Sequence, residues 1–265
     1  MSDASSPQDP EPGRQPGPSL ALRLTASWLV PSLRVLTRQR WAGEQHLPRD
    51  RGFLVCANHT TYMDPLAVAH YLWGNGIPAH FLAKADLFAI PAVGTWLRAC
   101  GQVPVYRESG RAIEAFSQAV AAVREGRCVV ITPEATITRD PQLWPMIGKS
   151  GAARIALTTR CPVIPVAHWG PHELLEPYGM PHPFPRKTMR VRAGPGVDLA
   201  DLYGEQQTPR VLREATERIM TGITTELERL RGRPAPAGRW SQRAGTRVDP
   251  RTGRAVAADE RSEDA

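Results

Sequence analysis

From residue 52 onward, short apolar runs alternate with longer stretches whose apolar residues return every three or four positions. The runs at 52–57, 79–83, 102–106, 128–132, 163–167 and 189–193 predict strands. Helices are predicted to begin near Pro65 and Ala92, and at Ser109, Ser150 and Thr208. Across 110–125, Ile113, Phe116, Val120 and Val123 share one helical face, with Ser109 offering an N-cap and Gly126 closing the end. Thr208-Pro209 supplies a cap and a first-turn proline, and Leu212, Ile219, Ile223, Leu227 and Leu230 line one face behind it. Strand–helix alternation of this kind predicts a single α/β domain with a mostly parallel central sheet flanked by helices. No internal repeat is visible.

Ahead of this pattern, residues 20–43 read differently. Leu20, Leu22, Leu24, Trp28, Leu29, Val30, Leu33, Val35 and Leu36 are interleaved with Arg23, Arg34, Arg38 and Arg40, without one acid. Pro31 is expected to kink or divide such a helix. A basic, Trp-bearing amphipathic segment suits a membrane interface, and the competing reading is a first helix packed on the core. A spanning segment is not expected. The longest stretch free of formal charge, 65–83, contains Pro65, His70, Gly74, Asn75, Gly76, Pro78 and His80, which break an apolar helix.

Residues 1–19 and 232–265 are rich in Pro, Gly, Ser and charge without hydrophobic periodicity, so both are expected to be disordered tails. The expected organisation is therefore a tail over 1–19, an amphipathic interface segment over 20–43, a domain over 44–231 and a tail over 232–265. One arginine against three acids in the first tail balances seven arginines against five acids in the last, so the net charge of +7 belongs to the core. A basic core points to an anionic partner such as a membrane surface, a phosphorylated ligand or nucleic acid. No recognition helix or aromatic–basic stacking stripe supports nucleic acid. Cys56, Cys100, Cys128 and Cys161 are widely spaced, with no CxxC and no Cys/His ligand cluster, and read as structural thiols in a reducing compartment. An acidic, Pro-rich start without an apolar stretch does not read as a signal peptide.

Candidate chemistry begins where the first predicted strand ends, at Asn58-His59-Thr60-Thr61-Tyr62-Met63-Asp64-Pro65. A His five residues before an Asp, across a strand-to-helix turn, can bring imidazole and carboxylate within hydrogen-bond reach. The carboxylate would hold one tautomer, leaving the other nitrogen as a general base with a pKa of about 6.5 when unperturbed. The alternative reading makes Asp64-Pro65 a helix cap and first-turn proline, with His59 a loop residue. Three more segments accompany it: a short strand ending in Arg over 101–107, the strand end Ile131-Thr132-Pro133-Glu134-Ala135-Thr136, and an apolar run with two prolines over 161–166.

In this order and at these spacings the four blocks resemble the glycerophosphate and lysophospholipid acyltransferase family, which includes bacterial 1-acylglycerol-3-phosphate acyltransferases. Asn58, His59 and Asp64 match its first block, Val105 to Arg107 its second, Pro133, Glu134 and Thr136 its Pro-Glu-Gly-Thr-Arg block, and Pro162 to Val166 its fourth. The resemblance covers roughly residues 40–200. Ala135 stands in place of the family's Gly, adding a Cβ where the backbone is a candidate for positive φ. Ile137 stands in place of its Arg, which removes one phosphate ligand; Arg139 is the nearest substitute.

The resemblance implies acyl transfer from an acyl-thioester, acyl-CoA or acyl carrier protein, to the free hydroxyl of 1-acylglycerol-3-phosphate, with no metal and no resident cofactor. A thioester is already reactive, so the protein needs a base, oxyanion donors and cations for the acceptor phosphate. His59 is then the base and Asp64 its orienting carboxylate. Lys84 and Arg107 are the first expected phosphate ligands, with Arg139 and Lys149 behind them. Glu134 is expected to orient a cation or to accept from a glycerol hydroxyl, and Thr136 to line the acceptor site. Backbone N–H groups near Thr60 or Thr136 are candidate oxyanion donors. Another lysophospholipid or glycolipid acceptor is the near alternative, and a lipid-binding protein without catalysis the distant one. The expected location is the cytoplasmic face of the cell membrane, docked peripherally on anionic lipid.

Overall fold

The computed structural model describes residues 15–105, 112–177 and 179–256. In chain order the elements are α1 (Leu20–Leu36), β1 (Thr37–Ala42), β2 (Phe53–Ala57), α2 (Asp64–Gly74), β3 (Ala79–Lys84), α3 (Ala85–Ala89), α4 (Pro91–Ala99), β4 (Val103–Val105), α5 (Ala112–Arg124), β5 (Cys128–Ile131), α6 (Gly151–Thr159), β6 (Val163–Trp169), α7 (Pro171–Leu174), β7 (Lys187–Ala193), α8 (Pro209–Arg231), β8 (Arg239–Ser241) and β9 (Thr246–Val248). Seven strands form one sheet in the order β1-β7-β6-β2-β5-β3-β4, and every neighbouring pair is parallel except β6 and β7. The expected fold class is the observed one.

Period-two alternation explains why both faces of the sheet need cover. Along β2, Leu54 and Cys56 join Ala119, Val123, Ile155 and Ile219 beneath α5, α6 and α8. Phe53, Val55 and Ala57 point the other way, into a second cluster with Val68, Tyr71 and Leu72 of α2. A strand buried on both faces reads as a continuous apolar run. All four cysteines are buried free thiols.

Two expectations about the ends of the domain need correction. The 20–43 segment is not one amphipathic unit: α1 ends at Leu36, and Thr37–Ala42 forms the edge strand β1, paired in register with β7 from Thr37↔Lys187 to Ala42↔Arg192. The arginines that suggested a lipid-facing helix thus include two, Arg38 and Arg40, that stand exposed on a sheet edge, where charge discourages further pairing. Pro31 lies inside α1 without dividing it. The predicted tail from 232 also carries structure. After α8 ends in a left-handed Gly232, the chain forms the hairpin β8–β9, and Arg239 and Val248 are buried against the domain. Those contacts are long-range and leave no periodic signature. Tyr106 and the Ser109 cap lie outside the described residues, as does 257–265.

Candidate functional site

Because β2, β3, β5 and β6 are mutually parallel, Asn58-His59, Lys84, Thr132–Glu134 and His168 emerge at one edge of the sheet. This is where open α/β sheets carry ligand-binding residues. Asn58, fully buried, stitches two of these ends together. Its Oδ1 accepts the His168 N–H at 3.0 Å and its Nδ2 donates to the His168 carbonyl at 3.2 Å.

His59 Nδ1 lies 2.8 Å from Asp64 Oδ2. A carboxylate only accepts, so Nδ1 carries the proton and Nε2 is left as the basic nitrogen. Asp64 is almost completely enclosed, at 1% exposure, yet its carboxyl is held below the usual carboxylate range. Burial opposes this, but His168, the His59 hydrogen bond and the Thr61 N–H outweigh it. The carboxylate accepts N–H bonds from Thr60 at 2.5 Å and Thr61 at 2.8 Å, and the Thr60 hydroxyl at 3.1 Å. These donors precede the helix. The residue in the cap position of α2 is Met63, with no side-chain cap bond, so Asp64 faces back toward His59 and does not cap its own helix. The Thr60 N–H, considered above as an oxyanion donor, is taken up by Asp64.

Glu134 does not take the acceptor-facing role expected of it. It is 2% exposed, and its oxygens accept the backbone N–H of His59 at 3.0 Å and of Met146 at 2.9 Å. It therefore holds main chain and does not face an acceptor hydroxyl or orient a cation. Burial pushes its carboxyl up to about 8, against the pull of the two N–H donors. Next to it, Ala135 adopts φ 59°, the left-handed conformation for which Gly is favoured.

Thr136 and Lys84 line an apolar groove of about 670 Å³ that also takes in His59. Leu29 of α1, Leu66 and Trp73 of α2, Phe81 of β3 and Trp96 of α4 form its walls. Ile137, in place of a family arginine, is buried and adds to the apolar wall. Lys84 is exposed and paired with Asp86. Arg139 and Lys149 are exposed and lie outside the groove, so the structure does not bring them to His59. Arg107 falls outside the described residues. Among the described residues, no cluster of three or more His, Cys, Asp or Glu is placed to hold a metal.

Two histidines at the site escaped the sequence reading. His168 is fully buried, donates from Nε2 to the Asn58 carbonyl at 2.7 Å and places Nδ1 3.6 Å from Asp64 Oδ1. His172 packs tilted against Trp169 at 4.1 Å between ring centroids, and burial pushes its pKa down to about 4. His168 was within reach of a simple signal, since it follows the predicted strand at 163–167 as His59 follows the one at 52–57.

The acyltransferase family profile matches residues 38–169, the segment that carries His59, Asp64, Glu134 and His168. Across this segment the chain belongs to the acyltransferase family. Relatives of the acyltransferase segment include 1-acyl-sn-glycerol-3-phosphate acyltransferases of Borreliella burgdorferi, 32% identical over 47% of this chain and 48% of that protein, and of Bacillus subtilis, 30% identical over 48% and 61%. The chain thus spans about half to three fifths of the length of these relatives. The fold is also that of the 1-acyl-sn-glycerophosphate acyltransferase PlsC from Thermotoga maritima, with a TM-score of 0.60, 24% identity and 81% of each chain covered.

Proposed function

We propose that this protein transfers a fatty acyl group from an acyl-thioester, acyl-CoA or acyl carrier protein, to the free hydroxyl of 1-acylglycerol-3-phosphate, giving phosphatidic acid. The observation that carries the reading is the 2.8 Å contact between His59 Nδ1 and Asp64 Oδ2 at the wall of an apolar groove. His59 Nε2 takes the hydroxyl proton as the oxygen attacks the thioester carbonyl. Collapse of the tetrahedral intermediate breaks the carbon–sulfur bond, and the imidazolium returns its proton to the departing thiolate. Asp64 stabilises that transient imidazolium. The groove volume falls within the roughly 300–1,000 Å³ of small-molecule sites and its walls suit an acyl chain.

Docking on the cytoplasmic face of the membrane completes the proposal. No described helix is long and apolar enough to cross a membrane. Leu20, Leu24 and Trp28, at i, i+4 and i+8 of α1, are 72%, 60% and 61% exposed, and Ile90, Val93 and Trp96 are exposed nearby on α4 and the turn before it. The Trp96 indole donates to Thr25 at 2.9 Å and so joins the two patches. An outward apolar stripe flanked by Arg23 and Arg34 suits an anionic interface.

The test incubates purified protein and vesicles containing lysophosphatidate with an acyl-CoA or an acyl carrier protein, reading thiol release and product mass. Phosphatidic acid formed with the parent protein and lost with His59→Ala is the expected result. Thiol release independent of any acceptor, or no product with either donor, overturns the reading. Burial of Ile137 where the family has a cation favours a second reading, a lysolipid acceptor with less phosphate charge, which the same assay decides by acceptor preference.

A further inference from the structure

We propose that the C-terminal arm, residues 232–256, is a positioning element for His59, and that Arg247 acts for it by fixing the loop 138–148 through Asp140. The inference rests on the reading of His59 as the base. The arm lies beyond the segment that carries the family match.

Loop 138–148 follows the Glu134 turn and supports both backbone polar groups of His59, the carbonyl directly and the N–H through Glu134. The Thr138 N–H donates to the His59 carbonyl at 2.8 Å. Glu134, which takes the His59 N–H at 3.0 Å, is itself completed by the Met146 N–H at 2.9 Å. A shift of this loop therefore moves the main chain from which the imidazole hangs.

The arm secures the loop at two points. Met146 and Trp240 form a parallel bridge, and the Ile147 N–H donates to the Trp240 carbonyl at 3.1 Å. Arg247 Nη2 lies 2.5 Å from Asp140 Oδ2, whose side chain is completely buried. The other Asp140 oxygen accepts the N–H groups of Gln142 at 2.8 Å and Trp144 at 3.4 Å, so this one carboxylate shapes the loop. A buried carboxylate needs a counter-charge, and the arm provides it.

The hairpin is in turn anchored to α8. All three guanidinium nitrogens of Arg239 are engaged, with Glu217 at 2.7 Å, Thr224 at 2.7 Å and Thr221 at 3.2 Å. At the end of α8, Arg231 stacks 4.1 Å from the ring centroids of both Trp144 and Trp169 and donates to the Gln142 carbonyl at 2.8 Å. Helix, hairpin and loop thus form one brace that ends on the main chain of His59.

Hydrogen exchange on the full chain, read without substrate, tests this directly. Arg247→Met is expected to speed exchange about tenfold or more in peptides containing His59 and 138–148, while Arg247→Lys stays near the parent. Because Arg247→Met leaves Asp140 buried without its ion-pair partner, the double variant Asp140→Asn/Arg247→Met is measured too, and the same local loosening is expected. Unchanged exchange at the His59 peptide in the folded double variant overturns the proposal. So does a rise spread evenly over the chain, which marks lost stability and not a loosened loop. In the acyl-transfer assay, kcat should fall about tenfold with the thioester KM within about twofold. A loosened His59 peptide with unchanged kcat also overturns it. If the parent forms no phosphatidic acid, the proposed reaction fails, and the exchange result still decides whether the arm holds His59.

Discussion

Glu134 accepts the backbone N–H of His59 at 3.0 Å across 75 residues of chain, from a position with almost no exposure. Glu134→Gln keeps one acceptor oxygen but turns an amide N–H₂ toward the other N–H donor. An unmatched buried donor costs about 1–3 kcal/mol, so the variant should unfold at lower temperature. Its acyl-transfer rate should fall with it, because one of the two donors is the backbone N–H of the base itself. A variant with the parent's melting temperature would show that the Glu134 carboxyl group carries no structural load. Burial raises this carboxyl from the usual 4.5 to about 8, so its contribution to stability is fully present below about pH 4.5 and is lost as pH rises through 8. That slope should vanish from the urea-midpoint profile of Glu134→Gln.

Asp64 serves His59 and does little else for the chemistry, which makes the pair strongly coupled. His59→Ala should lower turnover by about 10²–10⁴, the usual span for a general base. Asp64→Asn should lose a large part of the same factor, and the double variant little more than His59→Ala alone. Additive losses in steady-state kinetics would separate the two roles.

Ala135 holds a left-handed φ of 59° directly after Glu134. Relief of the Cβ clash favours Gly there by about 1–2 kcal/mol, offset in part by the greater freedom of Gly in the unfolded chain. Ala135→Gly should therefore stabilise the protein by roughly 0.5–1 kcal/mol in denaturant unfolding. A loss of stability would mean that the turn tolerates the side chain without strain.

His172 titrates in the opposite sense to Glu134. Its folded pKa is depressed from 6.5 to about 4 by burial, so the unfolded chain takes up a proton that the folded one does not. Stability is therefore lost as pH falls from about 6.5 to 4. His172→Phe keeps a ring against Trp169 and should flatten this acid limb. An unchanged midpoint difference between pH 7 and pH 5 would assign the acid sensitivity elsewhere.

Helix α1 both lines the groove and bears the outward stripe, so deleting it would damage the fold as well as docking. Leu24→Ser with Trp28→Ser alters only exposed positions. Cosedimentation with anionic vesicles should fall about tenfold or more, while activity on short-chain, water-soluble acceptors persists. Raising salt should weaken the parent's binding without abolishing it, because only the arginine contribution is screened. Undiminished vesicle binding by the double variant would end the docking proposal.

The sequence by itself determined what is local. Apolar runs bounded by turns marked the central strands, because a strand covered on both faces must be apolar throughout. The five-residue spacing of His59 and Asp64 sufficed for their contact, because one strand-to-helix turn spans it. What the tertiary structure decided rests on partners far apart in the chain. Glu134 proved to hold the backbone of His59, His168 stands behind Asp64, and Thr37–Ala42 joined the sheet through β7, 150 residues away at Thr37↔Lys187. The arm after Gly232 is the clearest case. Its Pro- and Arg-rich composition lacks the apolar surface that usually orders a chain. Order came instead from guanidinium groups paired with the domain, the buried Arg239 on α8 and the half-buried Arg247 on Asp140. Such pairing depends on where folded partners lie, and neither composition nor periodicity records that.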